Sequence, residues 1–380
     1  MRYARMPIEI ESPEQMGYDL IRYNLSESSV ADRPLSDFDI QLDDTLLCYG
    51  DHLGDPELRN LIAGDTPGLT ADHVLATTGA AGALFIIATS LLSKDDHLVV
   101  VRPNYATNIE TPRAIGCGIS YVDLEFDRGY ALDLAQVEAA IRPNTRYVSV
   151  TSPHNPTGVV IPDDQMQALV ALTQKHGVLL LVDETYREMR FGDIPQVAAS
   201  HGDHVISVSS LSKTYGIPGI RTGWLITQNP VLMELFLAAK EQIGIAGSVV
   251  DEKIAVAALR QRETWRVENQ ARINAGFAIV KEWIETEPLI DWVEPAGSCI
   301  CFPRISADAG IDPEAFYEVL FESYGTYVGP GHWFEQSDMQ FRIGYTWPTQ
   351  DALRKGLAGI SAALRDPAVA ARTAIAETAE

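Results

Sequence analysis

The sequence has no apolar run long enough to cross a bilayer as a helix. Its first residues, Met1 to Glu9, lack the apolar core of a secretory signal. Cysteine is scarce: Cys48, Cys117, Cys299 and Cys301 show no metal-ligand spacing. Cys299 and Cys301 flank Ile300, so on a strand both thiols face one side as small apolar groups. Positive charge is also short, with 29 Lys and Arg against 52 Asp and Glu and a net charge of −23. That balance argues against nucleic acid or an anionic membrane as partner, because both require basic patches. No Gly-x-Gly-x-x-Gly follows the first regular strand, which disfavours a nucleotide-binding dehydrogenase. No internal repeat or low-complexity tract is present. The expected compartment is a reducing cytoplasm.

What is present is ample material for a core: 380 residues, 46% of them hydrophobic. Residues 1–45 show no clear period and read as an N-terminal segment, with a short helix or crossing arm over 37–44. Asp55-Pro56 starts a helix, with Asp as cap and Pro at the first position. From Val74 to Ile226, apolar strands alternate with amphipathic helices, predicting an α/β fold with a mostly parallel central sheet flanked by helices. Helices follow over 233–243 and 252–284, the second long enough to be broken. Strands at 292–293, 298–302 and 340–345, with helices at 312–324 and 349–365, predict a smaller α+β C-terminal domain. An Ala-rich helix is expected from Pro367. The expected division is an N-terminal segment over 1–45 packing on the small domain and substrate site, a large domain over 46–275 and a small domain over 276–380.

In such sheets ligands bind beyond the carboxyl ends of the strands. The apolar run Val205 to Val208 leads into Ser209-Ser210-Leu211-Ser212-Lys213-Thr214-Tyr215-Gly216, with Arg221 eight positions past the lysine. Burial lowers an amine's pKa, and a neutral amine attacks carbonyls to form a Schiff base. Hydroxyls and a second cation suit a phosphate dianion. A carbonyl and a phosphate on one small molecule point to pyridoxal 5'-phosphate (PLP). Other strand ends carry Gly79-Ala80-Ala81, Tyr105, Asn155-Pro156-Thr157-Gly158 and Asp183-Glu184-Thr185-Tyr186. Each alone also reads as ordinary turn, packing or cap chemistry. A carboxylate directly after a buried strand, however, is costly without a cation, and a pyridinium N–H is such a partner.

Taken together, these residues resemble the PLP-dependent class I/II aminotransferases of fold type I, from about Tyr23 to the C-terminal helix. The resemblance implies that Lys213 binds PLP and later moves the α-proton, and that Asp183 keeps the ring nitrogen protonated. It implies that Asn155 and Tyr186 bond the ring oxygen and that Tyr105 stacks on the ring. Ala80, Ala81, Ser210 and Arg221 would hold the phosphate. Tyr49 matches a tyrosine that reaches the neighbouring subunit's cofactor, implying a homodimer with shared sites. Arg342, in Phe341-Arg342-Ile343-Gly344, matches the clamp for the substrate α-carboxylate, and Asn155 is implied to contact the substrate as well. Pro295 to Ser298 and Gly329-Pro330-Gly331 match family loops around the small domain.

The sequence departs from the family at Thr222, usually aliphatic, and at Leu25-Ser26-Glu27-Ser28-Ser29, where many members are Gly-rich. Glu27 either is a solvated loop residue or places a carboxylate near the substrate side chain, favouring an amine or guanidinium. The implied reaction is amino transfer between an L-amino acid and a 2-oxo acid. The alternative on the same site is a lyase or cyclase that eliminates, replaces or cyclises a side chain. A non-enzymatic relative of the fold is disfavoured by the intact lysine, aspartate and arginine.

Overall fold

A computed structural model describes residues 1–370; the helix expected from Pro367 is present over 367–370, and its continuation lies outside the described residues. The chain opens with two single-turn helices, α1 (Pro7–Ile10) and α2 (Pro13–Met16), then strand β1 (Tyr23–Asn24). The segment expected to be helical over 37–44 forms only one turn, Leu35–Asp37. Helix α3 (Pro56–Ala63) starts where the Asp-Pro pair predicts, with Asp55 accepting from the amides of Glu57 and Leu58. Such a cap is worth roughly 1 kcal/mol.

The central unit then alternates: β2 (Val74–Thr78), α4 (Gly79–Leu91), β3 (His97–Arg102), α5 (Thr107–Ile115), β4 (Gly118–Asp123), α6 (Leu134–Ala140), β5 (Thr145–Thr151), α7 (Asp163–His176), β6 (Leu179–Asp183), β7 (Val205–Ser210) and β8 (Thr222–Thr227). Seven strands form one sheet in the order β2-β8-β7-β6-β5-β3-β4. Only β8 runs antiparallel to its neighbours β2 and β7. Helix α5 has no counterpart in the sequence reading, because Pro112 inside it and its polar composition hide its period.

Alternation along the strands builds a core on both faces. Val99, Val101, Val148, Val150, Leu180 and Val182 pack on one side with Leu169 and Val170 of α7. Leu98, Val100, Tyr147, Leu181, Ile206 and Val208 pack on the other, against Leu84, Ile86 and Ile87 of α4. Burial of each such side chain contributes about 1.5–3 kcal/mol. The sheet is thereby rigid, and its strand ends are fixed points for polar side chains.

Helices α8 (Pro230–Gly244), α9 (Val249–Arg260) and α10 (Arg262–Thr286) follow, the long helix read over 252–284 being broken at Gln261. Trp265 of α10 packs with the sheet side, while Ile273, Ile279 and Val280 join a separate core. That core holds β9 (Ile290–Asp291), β10 (Ile300–Cys301), β11 (Arg304–Ile305), α11 (Pro313–Glu322), β12 (Thr326–Tyr327), β13 (Gly329–Pro330), β14 (Phe341–Gly344) and α12 (Gln350–Ala363). The strand expected at 292–293 lies two residues earlier, as β9. Cys299 and Cys301 are both buried in this core, as their spacing implies. The N-terminal segment joins it through β1, which pairs parallel with β12.

Candidate active site

The carboxyl ends of β2, β3, β5, β6 and β7 open into a cavity of about 460 Å³, within the usual size of a small-molecule site. Ala80, Ala81, Tyr105, Asn155, Asp183, Tyr186, Ser210, Lys213, Arg221, Arg342 and Glu27 all line it. Tyr49 does not, and its side chain stands 80% exposed on the loop before α3.

Lys213 follows β7 by three residues, in a loop tied to the N-terminal segment. Val30 donates its amide to the Lys213 carbonyl at 3.1 Å, and Arg33 donates to the Gly216 carbonyl at 2.8 Å. Gly216 has φ +64° and lies so close to the Ala31 carbonyl that a Cβ would stand 2.3 Å from it. The lysine Nζ donates to Ser28 Oγ at 3.1 Å. Burial lowers its pKa, with Glu27 opposing and Arg342 assisting. The amine is thus biased towards the neutral form that a nucleophile or base needs.

Asp183 ends β6. Its Oδ1 accepts from the Thr185 amide at 3.1 Å and hydroxyl at 2.7 Å. Burial raises its pKa, while the bonds from Thr185 and Asn108 lower it. Among the described residues no cation pairs with it, so a buried carboxylate faces the cavity without a counter-charge. Tyr186 donates its hydroxyl to the Ser28 carbonyl at 3.1 Å, and burial keeps it a phenol.

Arg342 lies on β14 and crosses to the sheet side. It donates to Asn155 Oδ1 at 3.0 Å and to the Ser26 carbonyl at 2.8 Å. That bond fixes the Asn155 amide, leaving Nδ2 as its donor. Arg342 Nε is buried with no partner. Burial depresses the guanidinium's pKa, yet arginine stays charged.

Opposite lies an anion cradle. Helix α4 opens at Thr78 with no side-chain cap, whereas Asp55, Asp133, Asn229 and Asp312 each cap their own helices. Its first amides are left for an anion. A Cβ at Gly223 would stand 2.6 Å from the Ala80 nitrogen, and one at Gly79 would stand 2.9 Å from Arg221 Nη2. Glycine at both positions lets strand, helix start and guanidinium converge. Arg221 holds φ +49° and donates to the Pro218 carbonyl at 3.0 Å.

Several contributors escape sequence reading. Ser28 binds both Lys213 and Tyr186. Asn104 accepts from Thr151 Oγ1 at 3.1 Å and from Asn108 Nδ2 at 3.1 Å, knitting β3 to β5 beneath the site. Buried His154, its pKa pushed down to about 4 by burial, bridges Thr157 and the Pro103 carbonyl. Ile8, Glu9, Ser12, Pro13, Glu14 and Tyr18 bring the first helical turns over the cavity. None sits in a periodic pattern; the polarity of Asn104 beside the apolar β3 was the one available signal.

Residues 27–360 match the family described as aminotransferase class I and II. The chain belongs to this family of PLP-dependent enzymes, and its fold is that of fold type I. Among curated relatives, it is 30% identical to capreomycidine synthase of Streptomyces vinaceus, over 84% of this chain and 82% of the relative. It is 28% identical to the arginine–pyruvate transaminase AruH of Pseudomonas aeruginosa, over 81% of each chain. Among solved structures, a PLP-dependent aminotransferase from Streptococcus suis superposes with a TM-score of 0.88 at 28% identity, covering 96% of this chain and 98% of that one. The PLP-dependent cyclase OrfR gives 0.86 at 27% identity, with the same coverage.

The cavity's own chemistry fits PLP. It has a buried amine for an aldehyde, a buried carboxylate lacking a cation, and an uncapped helix start beside an arginine for a phosphate. No helix among the described residues is long and apolar enough to cross a membrane.

Proposed function

We propose that this aminotransferase moves an amino group between an L-amino acid and a 2-oxo acid, with Lys213 as the group that moves the proton. The observation that carries this reading is one cavity lined by three ionisable groups in separate stations, the half-buried Lys213 and the buried Asp183 and Arg342. Bound there, PLP supplies a carbonyl for the amine and a ring that takes up electrons as the substrate's α-C–H bond breaks. Lys213 Nζ, made less basic by burial, takes the proton from Cα and returns it at the next step. Asp183 holds a proton at the ring nitrogen, Asn155 Nδ2 and Tyr186 bond the ring oxygen, and Tyr105 flanks the ring. The α4 amides at Ala80 and Ala81, with Ser210 and Arg221, hold the phosphate. Arg342 clamps the α-carboxylate.

A homodimer with Tyr49 completing the partner's phosphate site agrees with the exposure of Leu46, Leu47 and Tyr49 on one loop. Four free cysteines agree with a reducing cytoplasm. The sequence likeness to capreomycidine synthase and the structural likeness to OrfR favour a second reading, in which the same floor serves side-chain elimination or cyclisation.

An amino-acid panel with and without 2-oxo acid, with products followed by mass, separates the two. Amino transfer requires the oxo acid; release of ammonia or a cyclised product without it would overturn the first reading. The protein with PLP should show a visible absorption band that Lys213→Ala abolishes. Failure of the purified protein to bind PLP would overturn both.

A further inference from the structure

We propose that the outer end of the active cavity is a subsite for a cationic substrate side chain, a guanidinium above all. Glu27 is its direct partner, and Glu14 and Asp32 form a rim that draws it in. The proposal rests on Arg342 being the α-carboxylate clamp.

Lys213 and Arg342 line the cavity beside Asp183, and Arg221 stands exposed at its margin, while Glu14, Glu27 and Asp32 lie along the N-terminal segment that covers it. Among the described residues, no Lys, Arg or His forms an ion pair with any of these three carboxylates. Glu27 is nevertheless held in place. Its Oε1 accepts from the Tyr18 hydroxyl at 3.1 Å and from Asn24 Nδ2 at 3.5 Å, and neither donor is charged. Burial and then Glu27 raise the Tyr18 pKa, so Tyr18 donates as a neutral phenol. The carboxylate is thus oriented without being neutralised.

An independent observation fixes the other end. Arg342 lines the same cavity with its Nε buried and unpartnered, a guanidinium whose hydrogen bonding is incomplete in the protein alone. The two ends share one frame. Arg342 donates to the Ser26 carbonyl at 2.8 Å, and Gly344 donates its amide to the Leu25 carbonyl at 2.7 Å. A Cβ at Gly344 would stand 1.7 Å from the Glu27 carbonyl oxygen, so the backbone of Glu27 lies directly on the strand that carries Arg342. The distance from clamp to carboxylate is therefore set by packed backbone. It selects both the charge and the length of the side chain.

The rim supplies the preference for a planar cation. Tyr18 stacks on Trp347 with centroids 6.0 Å apart and planes 18° apart, and Trp347 Nε1 donates to Asp32 Oδ2 at 2.9 Å. An aromatic surface beside carboxylates suits a guanidinium better than the compact, strongly hydrated ammonium. A substrate with an acidic side chain would meet three unpaired carboxylates.

The test compares L-arginine with its neutral isostere L-citrulline, and with L-lysine and L-glutamate, on the PLP-loaded enzyme. The single half-reaction is followed by the change in the cofactor's absorption, and binding to the Lys213→Ala holoenzyme by calorimetry. A paired, partly buried charge predicts an arginine-to-citrulline ratio of about 30-fold or more in both kcat/KM and affinity. Glu27→Gln should collapse that ratio towards one. Glu14→Gln with Asp32→Asn should reduce the salt dependence of the arginine rate. A wild-type ratio near one, or a ratio unchanged by Glu27→Gln, overturns the proposal while neutral amino acids still react. If no amino acid reacts or binds, the clamp reading itself fails and takes the subsite with it.

Discussion

Replacing Asp183 by Asn should raise the stability of the cofactor-free protein and weaken PLP binding at the same time. The carboxylate is buried at the end of β6 with only neutral donors around it. Several kcal/mol of desolvation are offset in part by bonds from Thr185 and Asn108, leaving a net penalty of about 1–3 kcal/mol. Asparagine keeps the Oδ1 acceptor and the shape but not the charge. With unfolding entropy near 2.1 cal/mol/K per residue over 380 residues, 2 kcal/mol corresponds to about 2–3 °C. The sign also predicts a pH dependence. The folded pKa lies above the unfolded one, so the penalty is absent in acid, where both states are protonated. It grows as pH rises above the unfolded value near 4 and is fully present once pH exceeds the raised folded value. The advantage of Asp183→Asn should therefore appear at neutral pH and vanish in acid. Loaded with PLP, the wild type gains a cation partner that the variant cannot use, and affinity should fall by about 30-fold or more. Thermal melts of stripped and loaded protein, with a spectral titration of PLP, measure both. A stripped variant less stable than wild type, with unchanged PLP affinity, would refute this account of Asp183.

Two further outcomes follow from the geometry. Gly223→Ala should push the start of α4 away from β8, because its Cβ meets the Gly79 carbonyl carbon at 2.4 Å; PLP affinity should drop about tenfold or more, at a stability cost of about 1–3 kcal/mol. His332 sits between Glu11 Oε2 at 2.8 Å and Asp338 Oδ1 at 2.9 Å, and these partners overcome burial to raise its pKa. The clasp is complete below the unfolded value near 6.5 and is lost as pH rises through the raised folded value, so the protection of amides in residues 7–16, taken relative to intrinsic exchange at each pH, should fall over that range, and His332→Gln should remove that fall.

The floor of the site was legible because each piece is local. A buried strand ends, and residues at its end or just after it line the cavity: Ala80, Ala81, Asp183, Lys213. The strands themselves announced their ends through apolar runs such as Val178 to Val182. Arg342 was legible as a residue but not as a neighbour of Asn155, since 187 positions separate them. Helix α5 was lost to Pro112, and β12 and β13 to their length of two residues each. Ser28 gave no signal at all, because a serine in a polar loop is unremarkable until two buried groups are found on it.

Residues 1–45 carry the physical reason why the rest was hidden. They contribute little core of their own: Leu25 and Val30 sit in the core around β14, Phe38 packs on Trp265 on the sheet side, and Ile21 is buried. Their position comes from single bonds to other elements: Tyr23 and Leu25 to the β12 edge, Val30 and Arg33 to the lysine loop, Thr346 to the Ser29 carbonyl at 2.8 Å, and Glu11 to His332 and Trp333. A segment held this way shows no hydrophobic period, since periodicity records burial against a continuous face. Yet those bonds tie it at once to the lysine loop after β7 and to β14, the two elements that bear Lys213 and Arg342. Any shift of the smaller unit against the sheet must therefore move Ser28 relative to Lys213, or Ser26 relative to Arg342. The proposed carboxylate clamp Arg342 and the environment of the Lys213 amine are coupled through five residues, Leu25 to Ser29, of which the sequence singles out only Glu27 as a candidate.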